Sequence, residues 1–172
     1  MNVSLHELVT LQFSTTLEAL NNILTKAEQH ASDRGFSADA FLATRFAPDM
    51  FALARQVQIS TDIAKGAVAR LTNTKAPVFE DNETTMADLK IRIGRTIEFI
   101  AGTKEKDYEG YEKLSMTFPW VPGKALGGKD FLVGHAIPNF YFHVATTYDL
   151  LRMAGVNLGK ADFLGKQNWK EL

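Results

Sequence analysis

The sequence predicts an all-α protein, a four-helix bundle with a long crossover between its third and fourth helices. Three observations carry this. Apolar residues recur at steps of three and four in four separate segments. These segments open at capping residues or proline and close at glycine. Between the third and fourth, residues 103–129 have a different pattern, with alternating apolar and polar residues around two prolines. Each helix has one apolar stripe, and the stripes escape water by packing on one another. The whole of 1–172 is read as one such bundle.

The first helix opens at Ser4, with Glu7 placed to complete a reciprocal cap. Val9, Phe13, Leu17, Leu20, Leu24, Ala27 and Ala31 form its stripe, and Asp33-Arg34-Gly35 ends it. Residues 36–47 form a connector expected to pack through Phe36, Phe41 and Phe46. The second helix is predicted to begin at Pro48, whose missing N–H is not needed in a first turn, with Asp49 favouring the positive end of the helix dipole. Its stripe runs Met50, Ala54, Val57, Thr61, Ala64, Val68, Leu71. Residues 73–84 are polar, contain Pro77 and read as a loop.

Thr85 and Asp88 make a second capping pattern for the third helix, whose stripe is Met86, Leu89, Ile93, Ile97 and Ile100 before Gly102. Residues 103–129 read either as a short strand and turn or as a crossover over one end of the bundle; long connections of this kind are often binding loops. The fourth helix is predicted from about Asp130 to Ala154, with Gly155 as its stop. Pro138 falls inside it, so a kink is expected there, or a helix that starts at Pro138. The tail offers Phe163, Leu164 and Trp169 as docking points.

A chain of 172 residues suffices for a sizeable core. With 19 Lys+Arg against 20 Asp+Glu, a net charge of −1 and no block of one sign, no electrostatic footprint for nucleic acid or an anionic membrane is visible. The absence of cysteine excludes disulfides, thiolate metal sites and cysteine nucleophiles. No secretory signal is expected from MNVSLHELV, and no apolar run reaches the about 20 residues that span a bilayer. The expected location is the cytoplasm.

The candidate chemistry lies in residues 138–156, PNFYFHVATTYDLLRMAGV. His143 occupies an apolar seam position, and His135, Asn139 and His143 follow one another at intervals of four along one side of the helix. A pair spaced in this way can chelate an ion, and zinc takes three or four such ligands. A packing histidine bonded to the neighbouring helix fits the same pattern. Asp49, Gln56 and Ser60 are the polar residues of the second helix available to meet it. His143 could also serve as a general base without metal. Arg55 and Arg152 are candidates for an anionic ligand, and Trp120 and Trp169 for a pocket wall.

Pro48-Asp49-Met50-Phe51, the run Pro138-Asn139-Phe140-Tyr141-Phe142-His143 closing in Leu151-Arg152-Met153-Ala154-Gly155, and Gly159-Lys160-Ala161-Asp162-Phe163-Leu164-Gly165 carry a resemblance. Along essentially its whole length the chain resembles the DinB-like, or YfiT-like, superfamily of four-helix bundles. The resemblance implies a homodimer and a divalent metal, zinc or nickel, in a three-histidine site, with transfer of low-molecular-weight thiols in some relatives. Aligned backward from the terminal glycine, His143 falls on the second histidine of the fourth helix and Asn139 on the first. The histidine of the second helix has no counterpart; Asp49, Arg55 and Gln56 stand nearest. Two readings follow: a small-molecule-binding protein or enzyme with a degenerate metal site at His143, Asn139 and Asp49 and a pocket including Gln56 and His135, or a dimeric scaffold whose site is lost.

Overall fold

The computed structural model describes residues 3–171. The first long helix, α1 (residues 5–33), is built from Leu5–Thr10, a π turn at Leu11–Thr15 and Thr16–Asp33. Ser4 accepts from the Glu7 N–H at 3.1 Å, one arm of the predicted reciprocal cap. The stripe from Val9 to Ala31 is fully buried. A 3-10 segment at Ala38–Ala43 follows, and only Phe41 of its connector goes inside. Phe36 stays partly exposed with its edge on Phe41, and Phe46 is exposed.

The second helix, α2, spans Leu53–Leu71, five residues later than the sequence predicted. The residues at 48 and 49 are instead the centre of a turn, closed by Met50 N–H to Ala47 O at 3.0 Å. Proline's fixed φ suits the second position of a β-turn as well as a first helical turn, and tertiary context chose the former. Leu53 N–H then donates to Thr44 O at 2.9 Å and fixes the start of α2.

The third helix, α3 (Met86–Ala101), has the reciprocal cap the sequence predicted. Thr85 Oγ1 accepts from Asp88 N–H at 3.1 Å, and the Asp88 carboxylate accepts from Thr85 N–H at 3.0 Å. These bonds hold the Asp88 carboxyl below the usual carboxylate range. The crossover contains two 3-10 turns and an antiparallel hairpin, β1 (Ser115–Thr117) with β2 (Ala125–Gly127), in the register Met116 to Leu126. At Gly128 a Cβ would sit 2.2 Å from Tyr111 O, so the 3-10 turn at Tyr111–Lys113 can lie on the start of the next helix only without a side chain there.

The fourth helix, α4 (residues 128–153), is continuous through Pro138. It consists of Gly128–Phe131, a π turn at Leu132–Ala136 and Ile137–Met153. The wide turn lies where the proline ring would otherwise meet the Gly134 carbonyl, and the α-helical hydrogen bonding resumes at Ile137, one residue before the start at Pro138 that the sequence allowed. A short helix, α5 (Lys160–Leu164), returns to α1 through Lys26 and Asp162 at 2.6 Å, and Phe163 packs on Tyr141 and Tyr148. Trp169 does not dock; it is 89% exposed.

Helix α2 packs most extensively on α4 and next on α3, while α1 packs on α3 and, less, on α4. The order around the bundle is therefore α1, α3, α2, α4, and the consecutive helices α1 and α2 hardly touch. The first connection spans this diagonal, and the long third connection spans the other one, from α3 to α4, and lays the hairpin beside α4. No helix among the described residues is long and apolar enough to cross a membrane.

Candidate functional site

His143 reaches α2 from α4. Its Nδ1 lies 2.6 Å from Gln56 Oε1, and both side chains are buried. The Gln56 amide is oriented by its other end, because Nε2 donates to the Phe51 carbonyl at 3.0 Å and a carbonyl can only accept. Oε1 must then accept from Nδ1–H, so in the neutral ring the lone pair is on Nε2. That nitrogen has no partner among the described residues, and it is not sealed from solvent. Burial, and then the positive charge of Arg55, lower the His143 pKa from 6.5 to about 4, so the ring is neutral at physiological pH.

Beside this pair, α2, the π turn of α4 and the hairpin enclose a cleft of about 750 Å³. Its apolar wall includes Phe51, Phe118, Trp120 and Phe131, and its polar groups are Arg55, Asp62, Arg70, His135 and Asn139. The widened turn places His135 in the lining, where its ring lies 5.0 Å from Phe118 and stacks on Phe131 at 6.0 Å. Such turns are frequent at functional sites. His143 itself stands behind the lining, one turn beyond Asn139. It is joined to the wall through Gln56, which holds the Phe51 backbone, and through the nearby Arg55.

The structure thus brings His143 and Gln56 together, and it brings Asn139 and His135 into one cleft. It places Asp49 apart from both, in the exposed turn before α2. Ser60 is buried and donates to Val57 O within its own helix. No three His, Cys, Asp or Glu side chains among the described residues lie together as an ion site. The donors near His143 are one imidazole and two neutral amides, Gln56 and Asn139. That set does not fit the three-histidine metal that the resemblance implied, since zinc needs three or four strong donors. His6 lies against Tyr108 and His30 against Phe36 and Phe41, away from the cleft.

Sequence reasoning missed a second buried polar centre. Arg92 of α3 is 2% exposed and uses all its N–H donors. Nε donates to Thr61 Oγ1 at 2.7 Å, Nη1 meets Glu83 at 2.9 Å and Asp81 at 2.8 Å, and Nη2 meets Asp62 at 2.6 Å and Gln58 O at 3.3 Å. Burial pushes the Asp81 and Glu83 carboxyls up, but the bonds from Arg92, and from Arg55 at Asp81, outweigh it and hold both below the usual range. The signal was available: Arg92 falls within the buried stripe between Leu89 and Thr96, and the preceding loop reads Glu80-Asp81-Asn82-Glu83. Arg55, a candidate for a free anion, is instead paired with Asp81 at 2.6 Å.

A family model described as a domain of unknown function, DUF1993, matches residues 5–164. The crystal structure of a DinB family member protein from Shewanella denitrificans superposes with a TM-score of 0.94 at 42% identity, covering 98% of this chain and 96% of that one. No curated protein matches.

Proposed function

The chain belongs to the DUF1993 family and is a DinB-like bundle, and from that premise we propose that it is a small-molecule-binding protein whose site is the cleft between α2 and α4, working without the superfamily metal. The observation that carries this reading is the cleft itself: about 750 Å³ with aromatic walls and a few convergent polar groups, as small-molecule sites have. His143 supports it in two ways. Through Gln56 it fixes the Phe51 backbone, hence the end of α2 that brings Phe51 and Arg55 to the wall. Its Nε2 is a neutral acceptor near the cleft. A pKa of about 4 is well below the range in which a general base works best at neutral pH, which favours recognition over proton transfer.

The test is amide-shift mapping of ¹⁵N-labelled protein with a mixture of small aromatic fragments. The largest shifts are expected at Phe51, Arg55, His135 and Asn139, unchanged by added zinc or nickel. His143→Ala and Gln56→Leu should keep a dispersed spectrum and weaken binding by about tenfold, the loss of one buried hydrogen-bonded anchor. Shifts confined to the groove of Leu11, Tyr141 and Phe163 under the tail would refute the proposal.

A further inference from the structure

We infer that the cleft takes a flat, largely apolar molecule carrying a single anionic group, with Arg70 as the residue that receives the anion. This rests on the reading of the cleft as a small-molecule site. Three charged side chains line it: Arg55, Asp62 and Arg70. Two are already matched. Arg55 pairs with Asp81 at 2.6 Å, and Asp62 is held by Arg92 at 2.6 Å and Lys65 at 2.9 Å. Arg70 has no ion pair among the described residues, and its one protein hydrogen bond is a long one, Nη1 to Gly66 O at 3.4 Å. An incoming anion therefore gains a guanidinium without breaking an existing pair, whereas a cation meets a carboxylate that Arg92 and Lys65 already balance.

The surroundings of Arg70 set the rest of the ligand. Its guanidinium lies 5.9 Å from the Phe118 ring and 5.8 Å from the Phe131 ring, so flat apolar surface and positive charge are presented side by side. Trp120, 5.0 Å from Phe118 and largely exposed, extends that surface. A second recess of about 230 Å³ shares Phe118, Trp120 and His135 and continues under the hairpin, giving room for an aromatic body. Gly66 keeps Arg70 in place: the side chain lies back over it, and a Cβ there would come within 3.0 Å of Nη1 and push the guanidinium away.

The chain has two tryptophans, so Trp169→Phe leaves Trp120 as the sole reporter. In that background, quenching of Trp120 is titrated with 8-anilinonaphthalene-1-sulfonate and with its uncharged relative N-phenyl-1-naphthylamine. The sulfonate should bind about tenfold more tightly, the scale of one charge-assisted contact. Arg70→Gln should abolish that preference and leave the neutral probe unaffected, Arg70→Lys should restore part of it, and Gly66→Ala should weaken the sulfonate alone. Displacement of the sulfonate by 2-naphthoate or by 2-naphthyl phosphate identifies the anion as carboxylate or phosphate ester; displacement by neither overturns the inference. Equal affinity of the two probes, or equal weakening of both by Arg70→Gln, overturns it while leaving the cleft as a binding site. If neither probe quenches Trp120, the cleft reading falls with it.

Discussion

Arg92 and His143 are both buried, both polar and both bound to α2, yet they are held in opposite ways. Arg92 spends every N–H on a carboxylate, a carbonyl or a hydroxyl. His143 spends one nitrogen on Gln56, and the other has no partner among the described residues. The first arrangement is a joint, since nothing is left to recognise a ligand and the bonds together tie the loop at Asp81–Glu83 to α2 and α3. The second leaves an acceptor next to a cleft. A buried polar group whose bonding capacity is exhausted supports the fold, and one with capacity to spare is where function is to be sought.

The most severe way to break the comparison is Arg92→Leu. It strands the largely buried Glu83 carboxylate, while Asp62 and Asp81, each about a third exposed, keep Lys65 and Arg55; equilibrium urea denaturation should show a loss of about 3–5 kcal/mol. Gln56→Leu leaves the His143 Nδ1–H without an acceptor and should cost about 1–3 kcal/mol by the same measurement. A more conservative change sharpens the contrast. Gln56→Glu puts a carboxylate on Nδ1, and NMR titration should find the His143 pKa raised from its wild-type value of about 4, by roughly 1–3 pH units.

The two centres also divide the acid response. His143 has a folded pKa below its ordinary 6.5, so the unfolded chain binds the extra proton; the stability from this group is full above pH 6.5 and is lost as pH falls toward about 4. Asp81 and Glu83, lowered in the fold from ordinary values of 3.8 and 4.5, hold their contribution through most of that window and begin to lose it only as pH falls below 4.5. Stability measured against pH should therefore fall in two stages, and His143→Gln should remove the upper one alone. The smallest effect serves as a control. Lys26–Asp162 joins side chains 51% and 22% exposed, and Asp162→Asn should cost no more than about 1 kcal/mol.

Much of the bundle is legible in the sequence because apolar spacing and caps are local: the stripe of α1 and the Thr85–Asp88 box required nothing beyond their neighbours. The start of α2 was not legible, since Pro48 suits a turn and a first helical turn equally and only the Leu53–Thr44 bond decides. The extent of α4 was largely legible, but the π turn that carries it past Pro138 was not, since no propensity signals such a turn. His143 and Gln56 could be singled out as candidates, but their pairing spans 87 residues of chain. Arg70 and Phe118 met only when the diagonal connectivity laid the hairpin beside α4, whose neighbour is α2.

That connectivity also bears on how the protein comes apart. The walls of the cleft, α2 and α4, are far apart along the chain, so closing them costs loop entropy after α3 and the crossover are in place. Local elements form early and distant pairings late, which makes the α2–α4 seam a late event in assembly. A molecule seated in that seam bridges the two ends of the longest loop, and it acts as a clasp on the entire bundle. Its binding free energy is then registered as slower exchange of amide hydrogens throughout α2 and α4, well beyond the residues it touches.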